Sequence, residues 1–529
     1  MHLALRLWLP RLALPAILLL TLIAYGQVIG FDFVDWDDTS LVLGNPLVQN
    51  FSFAVFWSFE PELYSPLSLL SFWFEHMLVG FEPSLFHFTN LVLHLINITL
   101  VYRLVLSMLR TNEQTNKRFF FAAFAAALFA LHPVQVESIA WISARKELLW
   151  TLFGLLALLA YVQGPKNLPQ AHPVLRFMMR HRVFLFTFLA LLNKPTAVVL
   201  PLLMLTIDWR NKQLSVASFK EKWPLFSLAG LIGLLGILGK TGSTIDLSLW
   251  DHLLLAIAGI PYALRLLVWP FGYAVLHPAQ EPIAIMTLTY GGSLLAMLLF
   301  GFLLWKFRNR FPLVTLGLAF FVLTLLPALF APIHAETITI LSEHYLYFPL
   351  IGISIAISGI LCNLQFATPR FLRLLSPLVL LGLLTTLTFL QASVWRDSTT
   401  LFESVRTVYP RSVPVLTNLG AAYARMEKFP EAESILRQAV GLDPDFAQAH
   451  FNLGGLRYVR GDYPGAITAY KRVIELKENH VDAWRMLTWS YHKSGDIARA
   501  RQAFDTTIHL LPTLRDLLPD LSADTGVAL

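Results

Sequence analysis

Runs of about twenty mostly apolar residues recur along the first 393 positions, and no other feature restricts the fold so strongly. A bilayer core is about 30 Å thick, so a helix rising about 1.5 Å per residue crosses it in about 20 residues. Such runs stand near 9–30, 86–108, 118–136, 147–163, 223–239, 286–305, 311–331, 347–367 and 374–393. Two shorter ones, 183–193 and 195–208, flank Asn193, Lys194 and Pro195 and read as a tight hairpin of short spans, bringing the expected crossings to about eleven. The stretch 249–270 carries Pro261 and Arg265 and reads as an interfacial or re-entrant helix. The expected fold is all-α, a polytopic transmembrane helix bundle.

Composition agrees: apolar residues form 56% of the chain and charged residues 14%, against about 45–50% and about 25% in soluble proteins. The net charge of +6 is scattered rather than gathered in one patch, which argues against a nucleic-acid partner. The one cysteine, Cys362, excludes an intrachain disulfide and a cysteine metal site. Lys and Arg are enriched in cytoplasmic loops. With a cytoplasmic N-terminus, nineteen of them fall inside and only Arg145, Lys146, Lys194, Lys240 and Arg265 outside, which sets the expected orientation. Everything after about residue 393 is then periplasmic in a bacterial inner membrane, or lumenal in an ER-type membrane. Ala24-Tyr25-Gly26 loosely suits a signal peptidase, but the uncharged run before it is long for a signal, so a retained span is expected.

Residues 413–514 repeat with a period of 34, the length of one tetratricopeptide helix pair. Counting from 413, 447 and 481, position 8 is Gly420, Gly454 and Thr488, position 20 is Ala432, Ala466 and Ala500, and position 24 is Leu436, Tyr470 and Phe504. Small residues let paired helices approach and large ones fill the hole opposite. The expected organisation is a transmembrane domain over 1–393, a connecting helix within 394–412, three tetratricopeptide repeats over 413–514 and a tail over 515–529.

Four constellations could carry chemistry. Asp37 and Asp38 are wedged between Trp36 and the run Leu41–Leu43, where desolvation makes a carboxylate a better base, whereas Asp32 and Asp35 read as solvated loop. His87, Asn90, His94 and Asn97 share one helical face. Asn90, His94 and Asn97 read as packing through buried hydrogen bonds, and His87, at the outer mouth, as the member with a claim to function. Arg145, Lys146 and Lys194 stand where an anion could use them, and Lys194, between two short apolar helices, needs phosphate, carboxylate or water beside it. His132 and Glu137 join that outer region, and LSEHYLYFPLIG adds Glu343, His344 and Tyr345.

The segments FVDWDDTSLVLGNP, HFTNLVLH after Gly80, ALFALHPVQVESIAWISARKELLWTLF, LLNKPTAVVLPLLMLTIDW, EHYLYFPLIG and WRDSTTLFESVRTVYP occur in this order along nearly the whole chain. Together they resemble the transmembrane and tetratricopeptide-containing glycosyltransferases of the GT-C superfold, whose animal members are protein O-mannosyltransferases. Family members commonly have tyrosine where Trp36 stands and arginine where His344 stands, and histidine is not a dependable cation at neutral pH. The resemblance implies a sugar donor on polyprenyl phosphate, Asp37 as base with Asp38 as its partner, and inversion at the anomeric carbon. It implies Arg145, Lys146 and Lys194 on the donor phosphate, with His87, His132, Glu137, Glu343, His344 and Tyr345 lining the site. A divalent cation stays open, because no ligand set demands one and related families differ. The implied function is transfer of a sugar, mannose by that resemblance, to Ser or Thr of exported polypeptide presented by the repeats. Transfer to a lipid-linked or envelope glycan is the second reading, and a non-catalytic scaffold or transporter the third.

Overall fold

The computed structural model describes residues 2–59, 64–109, 115–164, 173–238, 247–279, 282–330, 338–363 and 370–511. The 515–529 tail and the basic positions Arg110, Lys166 and Lys240 lie outside these. Regular structure among the described residues is helical, with one isolated bridge between Pro278 and Thr339. The chain divides into two compact units, Met1–Asp397 and Ser398–Leu529.

The first unit opens with α1 (His2–Tyr25), α2 (Pro66–Val79), α3 (Pro83–Met108), α4 (Thr115–Leu131) and α5 (Arg145–Gln163). It continues with α6 (Pro173–Leu191), α7 (Leu200–Arg210), α8 (Trp223–Leu238) and α9 (Leu249–Val268), and closes with α10 (Leu288–Phe307), α11 (Pro312–Leu329), α12 (Pro349–Asn363) and α13 (Arg370–Ala392). Helix α3 is central, packed against α1, α4 and α5, because its polar stripe must turn away from lipid.

Seven described segments are long and apolar enough to cross a bilayer: Leu12–Gly30, Pro83–Met108, Ile142–Gln163, Leu249–Val268, Leu288–Phe307, Pro312–Leu329 and Leu378–Trp395. Arg118–Leu131 with Pro133–Ala140, bent by 52°, makes an eighth if counted as one span, while His181–Leu191, Trp223–Leu238 and Pro349–Leu361 are apolar but shorter. That is fewer than the eleven crossings expected. The stretch 249–270, expected to be an interfacial or re-entrant helix, forms one continuous helix through Pro261 that is long and apolar enough to cross. A membrane helix tolerates one proline when neighbours support the freed backbone. Gly259 brings α9 close to α11, so that a Cβ there would lie 2.3 Å from Leu329 Cδ2, and Arg265 stands in the last turn near the helix end. Helix α6 begins ten residues before the apolar run at 183 because Arg176, Arg180 and Arg182 are good helix formers and extend it.

The most extensive helix pairing joins α11 and α12. A Cβ added to Gly352 would lie 2.5 Å from Gly317 O and 2.6 Å from Phe321 N, so the two backbones touch through paired glycines. Gly352→Val is therefore expected to destabilise the solubilised protein by about 1–3 kcal/mol. An unchanged thermal midpoint in detergent would reject this packing.

The second unit begins with α14 (Ser398–Val408), within the stretch 394–412 where a helix was expected. The helix pairs α15 (Val413–Arg425) with α16 (Phe429–Leu442), α17 (Ala447–Val459) with α18 (Tyr463–Leu476), and α19 (Val481–Lys493) with α20 (Ile497–Leu510) follow at the 34-residue period. Position 8 meets position 24 as the pattern requires: a Cβ on Gly420 would lie 2.6 Å from Leu436 Cγ, and one on Gly454 2.8 Å from Tyr470 Cε1. In the third pair Thr488 is buried and returns its hydroxyl to Trp484 O at 2.9 Å, which satisfies it without a partner helix.

Candidate functional site

The acidic segment between α1 and α2 is pulled inward by its apolar residues. Leu41 and Val42 are buried in a cluster with Val48, Val55, Leu69, Phe72, Phe86 and Ile142. This draws Asp38 under the surface, where it becomes a clamp. Its Oδ2 accepts from Val34 N at 3.0 Å, and its Oδ1 accepts from Ser143 N at 2.9 Å and Ser143 Oγ at 2.5 Å. One carboxylate thus ties the acidic segment to the turn entering α5. Burial pushes Asp38 up to about 6, against the donors on Ser143 and Val34. The carboxylate of Asp37, half-buried, accepts no hydrogen bond from a described residue, although its backbone carbonyl accepts from Leu41 N at 2.7 Å; burial raises the carboxyl and the charge of Lys146 lowers it. Asp32 is exposed, and Asp35 accepts from Thr39 Oγ1 at 2.6 Å, as ordinary loop residues do.

The three expected cations separate sharply. Arg145 is fully buried, with Glu75 at 2.5 Å, Asn90 Oδ1 at 2.8 Å, Ser71 Oγ at 3.2 Å and Phe86 O at 2.7 Å taking four of its five N–H groups. Its guanidinium also lies 4.4 Å from the Phe72 ring centre. Arg145 thus joins α2, α3 and α5 and has little left for a phosphate, contrary to expectation. Lys194 pairs with Glu147, whose other oxygen accepts from Trp150 Nε1 at 2.9 Å, and its ammonium stands 4.3 Å from the Tyr345 ring centre. That pairing supplies the carboxylate its setting calls for. Lys146, 6% exposed, makes no ion pair or hydrogen bond with a described residue; its ammonium lies 5.5 Å from the Trp141 ring centre and its charge acts on Asp37.

The stripe on α3 is mostly structural, as expected. Asn90 Nδ2 donates to Trp141 O at 3.2 Å, His94 contacts Tyr347 OH at 2.8 Å and Ala130 O at 3.2 Å, and Asn97 Nδ2 donates to Leu148 O at 3.0 Å. His87, expected at an open mouth, is buried under the acidic segment, edge-on to Phe31 and 3.4 Å from Asp32 O. His132 is also inside: Nδ1 accepts from Val134 N and Nε2 reaches Leu267 O at 2.9 Å, which joins the α4 end to α9. Neither lines an open site.

The segments 273–279 and 338–346 meet around Glu343. Glu343 Oε1 accepts from Ala274 N at 2.9 Å and lies 2.5 Å from His277 Nε2. Burial, with the charge of Arg265, pushes His277 down to about 3, which favours a neutral hydrogen bond over an ion pair here. Burial pushes Glu343 up to about 8 from an ordinary 4.5, against the Ala274 N–H. A carboxyl raised on folding stabilises the fold fully below about pH 4.5, and that contribution is lost as pH climbs through about 8. Hydrogen exchange at the Ala274 and Ile340 amides is expected to quicken, beyond the intrinsic rate, between about pH 4.5 and 8, and Glu343→Gln to remove that extra rise.

Residues 417–479 and 457–513 match the tetratricopeptide repeat family model. A Caenorhabditis elegans protein O-mannosyl-transferase is 25% identical over 453 residues, covering 81% of this chain and 62% of that protein. The protein O-mannosyl-transferase TMTC1 of mouse is 33% identical over 153 residues, 26% of this chain and 15% of that protein, and human TMTC3 is 29% identical over 106 residues, 20% and 11%. This chain is similar to the transmembrane, tetratricopeptide-containing protein O-mannosyltransferases. It matches less than two-thirds of the length of each of these relatives. A crystal structure of MamA is 25% identical, covering 25% of this chain and 78% of that one, with a TM-score of 0.23.

Several residues of these clusters escaped the sequence reading. Glu75 could have been found: a lone carboxylate in the apolar helix α2 must have a buried cation. Ser143 and Glu147 sit within the ISARKE motif beside the expected cations. His277 carried no signal, because its partner lies 66 residues away. Among the described residues no group of three or more His, Cys, Asp or Glu side chains is placed to hold a metal, so the open divalent cation finds no ligand set and no step is routed through one.

Proposed function

We propose that this membrane protein transfers a sugar, mannose by the names of its relatives, from polyprenyl phosphate to Ser or Thr hydroxyls of exported polypeptide. The single observation that carries the reading is Lys146, a side chain only 6% exposed whose ammonium has no ion pair to any described residue and whose charge acts on the half-buried Asp37. An unpaired ammonium is costly away from water and favours an anionic ligand, while a desolvated carboxylate favours accepting a proton. Asp37 takes the proton as the acceptor oxygen attacks the anomeric carbon. The bond from that carbon to the phosphate oxygen breaks, its electron pair leaves with the polyprenyl phosphate, and Lys146 holds the charge. Attack opposite the leaving group inverts the centre. Arg145, Asp38, His87 and His132 support this geometry, and Lys194 with Glu147 flanks it.

The site and the repeats face the periplasm or lumen in this reading, on the distribution of Lys and Arg, and the repeats hold the acceptor in an extended form. The test is transfer of labelled mannose from polyprenyl phosphate in membranes, comparing wild type with Lys146→Gln at equal abundance. Label on protein that disappears with Lys146→Gln supports the reading. Label only on lipid-linked glycan moves the acceptor to that class, and no label from any donor rejects catalysis.

A further inference from the structure

Glu343 and His344 are neighbours with different partners. Glu343 turns to 273–279, whereas His344 is gripped by Glu137: Oε2 accepts from the His344 backbone N–H at 2.9 Å and Oε1 lies 2.9 Å from Nδ1. Burial pushes Glu137 up to about 7; above that its carboxylate oxygens only accept, so Nδ1 carries the ring proton and the neutral ring offers Nε2 as an acceptor. Nε2 makes no hydrogen bond with a described residue, and unlike His87 Nδ1 it is not among the buried ring nitrogens left without a partner. Two aromatic rings flank the imidazole, Trp141 edge-on at 5.5 Å and Tyr345 at 4.2 Å between ring centres. The charged and titratable groups acting on it are Glu137, Lys194, Lys146 and Tyr345.

We infer that His344 Nε2 accepts a hydrogen bond from one hydroxyl of the donor sugar and so helps to set which sugar is transferred. The inference rests on the sugar-transfer reading above. The Trp141 ring centre lies 5.5 Å from the Lys146 ammonium and 5.5 Å from the imidazole centre, so a phosphate drawn to Lys146 brings its sugar toward His344, and aromatic faces suit the C–H side of a pyranose. The ammoniums nearby can only donate and the Asp37 carboxylate is engaged by the attacking acceptor hydroxyl, which leaves Nε2 as an acceptor for a hydroxyl of the donor sugar. Burial holds the ring below its ordinary value against the pull of Glu137, and Lys194 and Lys146 act in the same downward sense, so Nε2 keeps its lone pair at neutral pH. An arginine, as family members commonly carry here, would only donate and would select a sugar by the opposite polarity.

The experiment measures kcat/KM with polyprenyl phosphate mannose and its four monodeoxy analogues for wild type, His344→Asn and His344→Gln. Asparagine keeps a donor near Glu137 and removes the acceptor; glutamine places an amide oxygen near Nε2. For the full donor, His344→Asn is expected to lose about tenfold, the worth of one hydrogen bond, and His344→Gln to recover most of it. For one monodeoxy donor, wild type and His344→Asn should be equal, because the contacted hydroxyl is already gone. An equal loss with all five donors, or no recovery by glutamine, overturns the inference alone. No transfer by wild type from any donor overturns the sugar-transfer reading and this inference with it.

Discussion

Lys146→Met is expected to lower kcat/KM for polyprenyl-phosphate sugar by about 100-fold or more while leaving the folded yield close to wild type, and Arg145→Met to do the reverse. The two cations are adjacent in sequence but about 100° apart around α5, so they face different surroundings. Arg145 lies in the junction of α2, α3 and α5 with Glu75 at 2.5 Å, and removing it strands a carboxylate that is only 4% exposed. Breaking a buried pair in this way costs about 3–5 kcal/mol. Lys146 has no such partner among the described residues, so its loss removes nothing the fold relies on. A preorganised charge at a developing phosphate anion is worth about 100- to 1,000-fold. Folded yield by size-exclusion profile, set beside donor kinetics, separates the two. Combining Arg145→Met with Glu75→Leu should recover much of the yield, because neither charge is then left alone. A folded, inactive Arg145→Met protein would return Arg145 to the phosphate.

The helical architecture was legible because it follows from local periodicity. A 34-residue period places Gly454 opposite Tyr470 without any knowledge of the rest of the chain, and the described residues bear this out. Crossings were harder. Whether α9 runs straight through Pro261 depends on Gly259 meeting Leu329, a contact between residues far apart in sequence. The site divides along the same line. Asp37, Asp38 and Lys146 could be singled out because an uncompensated charge in apolar sequence needs an explanation. What could not be read was which charges already had partners. Glu75 reaches Arg145 across 70 residues and Glu147 reaches Lys194 across 47, and only packing of the helices decides that both are occupied while Lys146 is not. His87 misled for a similar reason: the acidic segment folds over it, and a position at the end of a span becomes an interior one.

Asp37→Asn and Asp38→Asn should both abolish most transfer, with opposite accompaniments. Loss of a general base lowers kcat by about 100- to 10,000-fold, and Asp37, whose carboxylate accepts no hydrogen bond from a described residue, should show this with unchanged stability. Asp38→Asn exchanges an acceptor for an amide donor facing either Val34 N or Ser143, so one of its contacts becomes donor against donor and the acidic segment loosens. Proteolysis of the 31–45 segment should quicken in Asp38→Asn and not in Asp37→Asn. Their pH signatures differ as well. Asp37 acts as a carboxylate, so activity should rise as pH climbs through its raised value; Lys146 holds that value down, and Lys146→Gln should therefore move the acid limb of the residual activity to higher pH. Asp38, raised on folding from an ordinary 3.8 to about 6, stabilises the fold fully below about pH 3.8, and that contribution is lost as pH rises through about 6. Asparagine does not titrate, so Asp38→Asn should remove this loss between pH 4 and 6 even though it is the less stable protein. Should the acid limb move with Asp38→Asn rather than with Lys146→Gln, the base is Asp38, and the clamp and the chemistry belong to the same carboxylate.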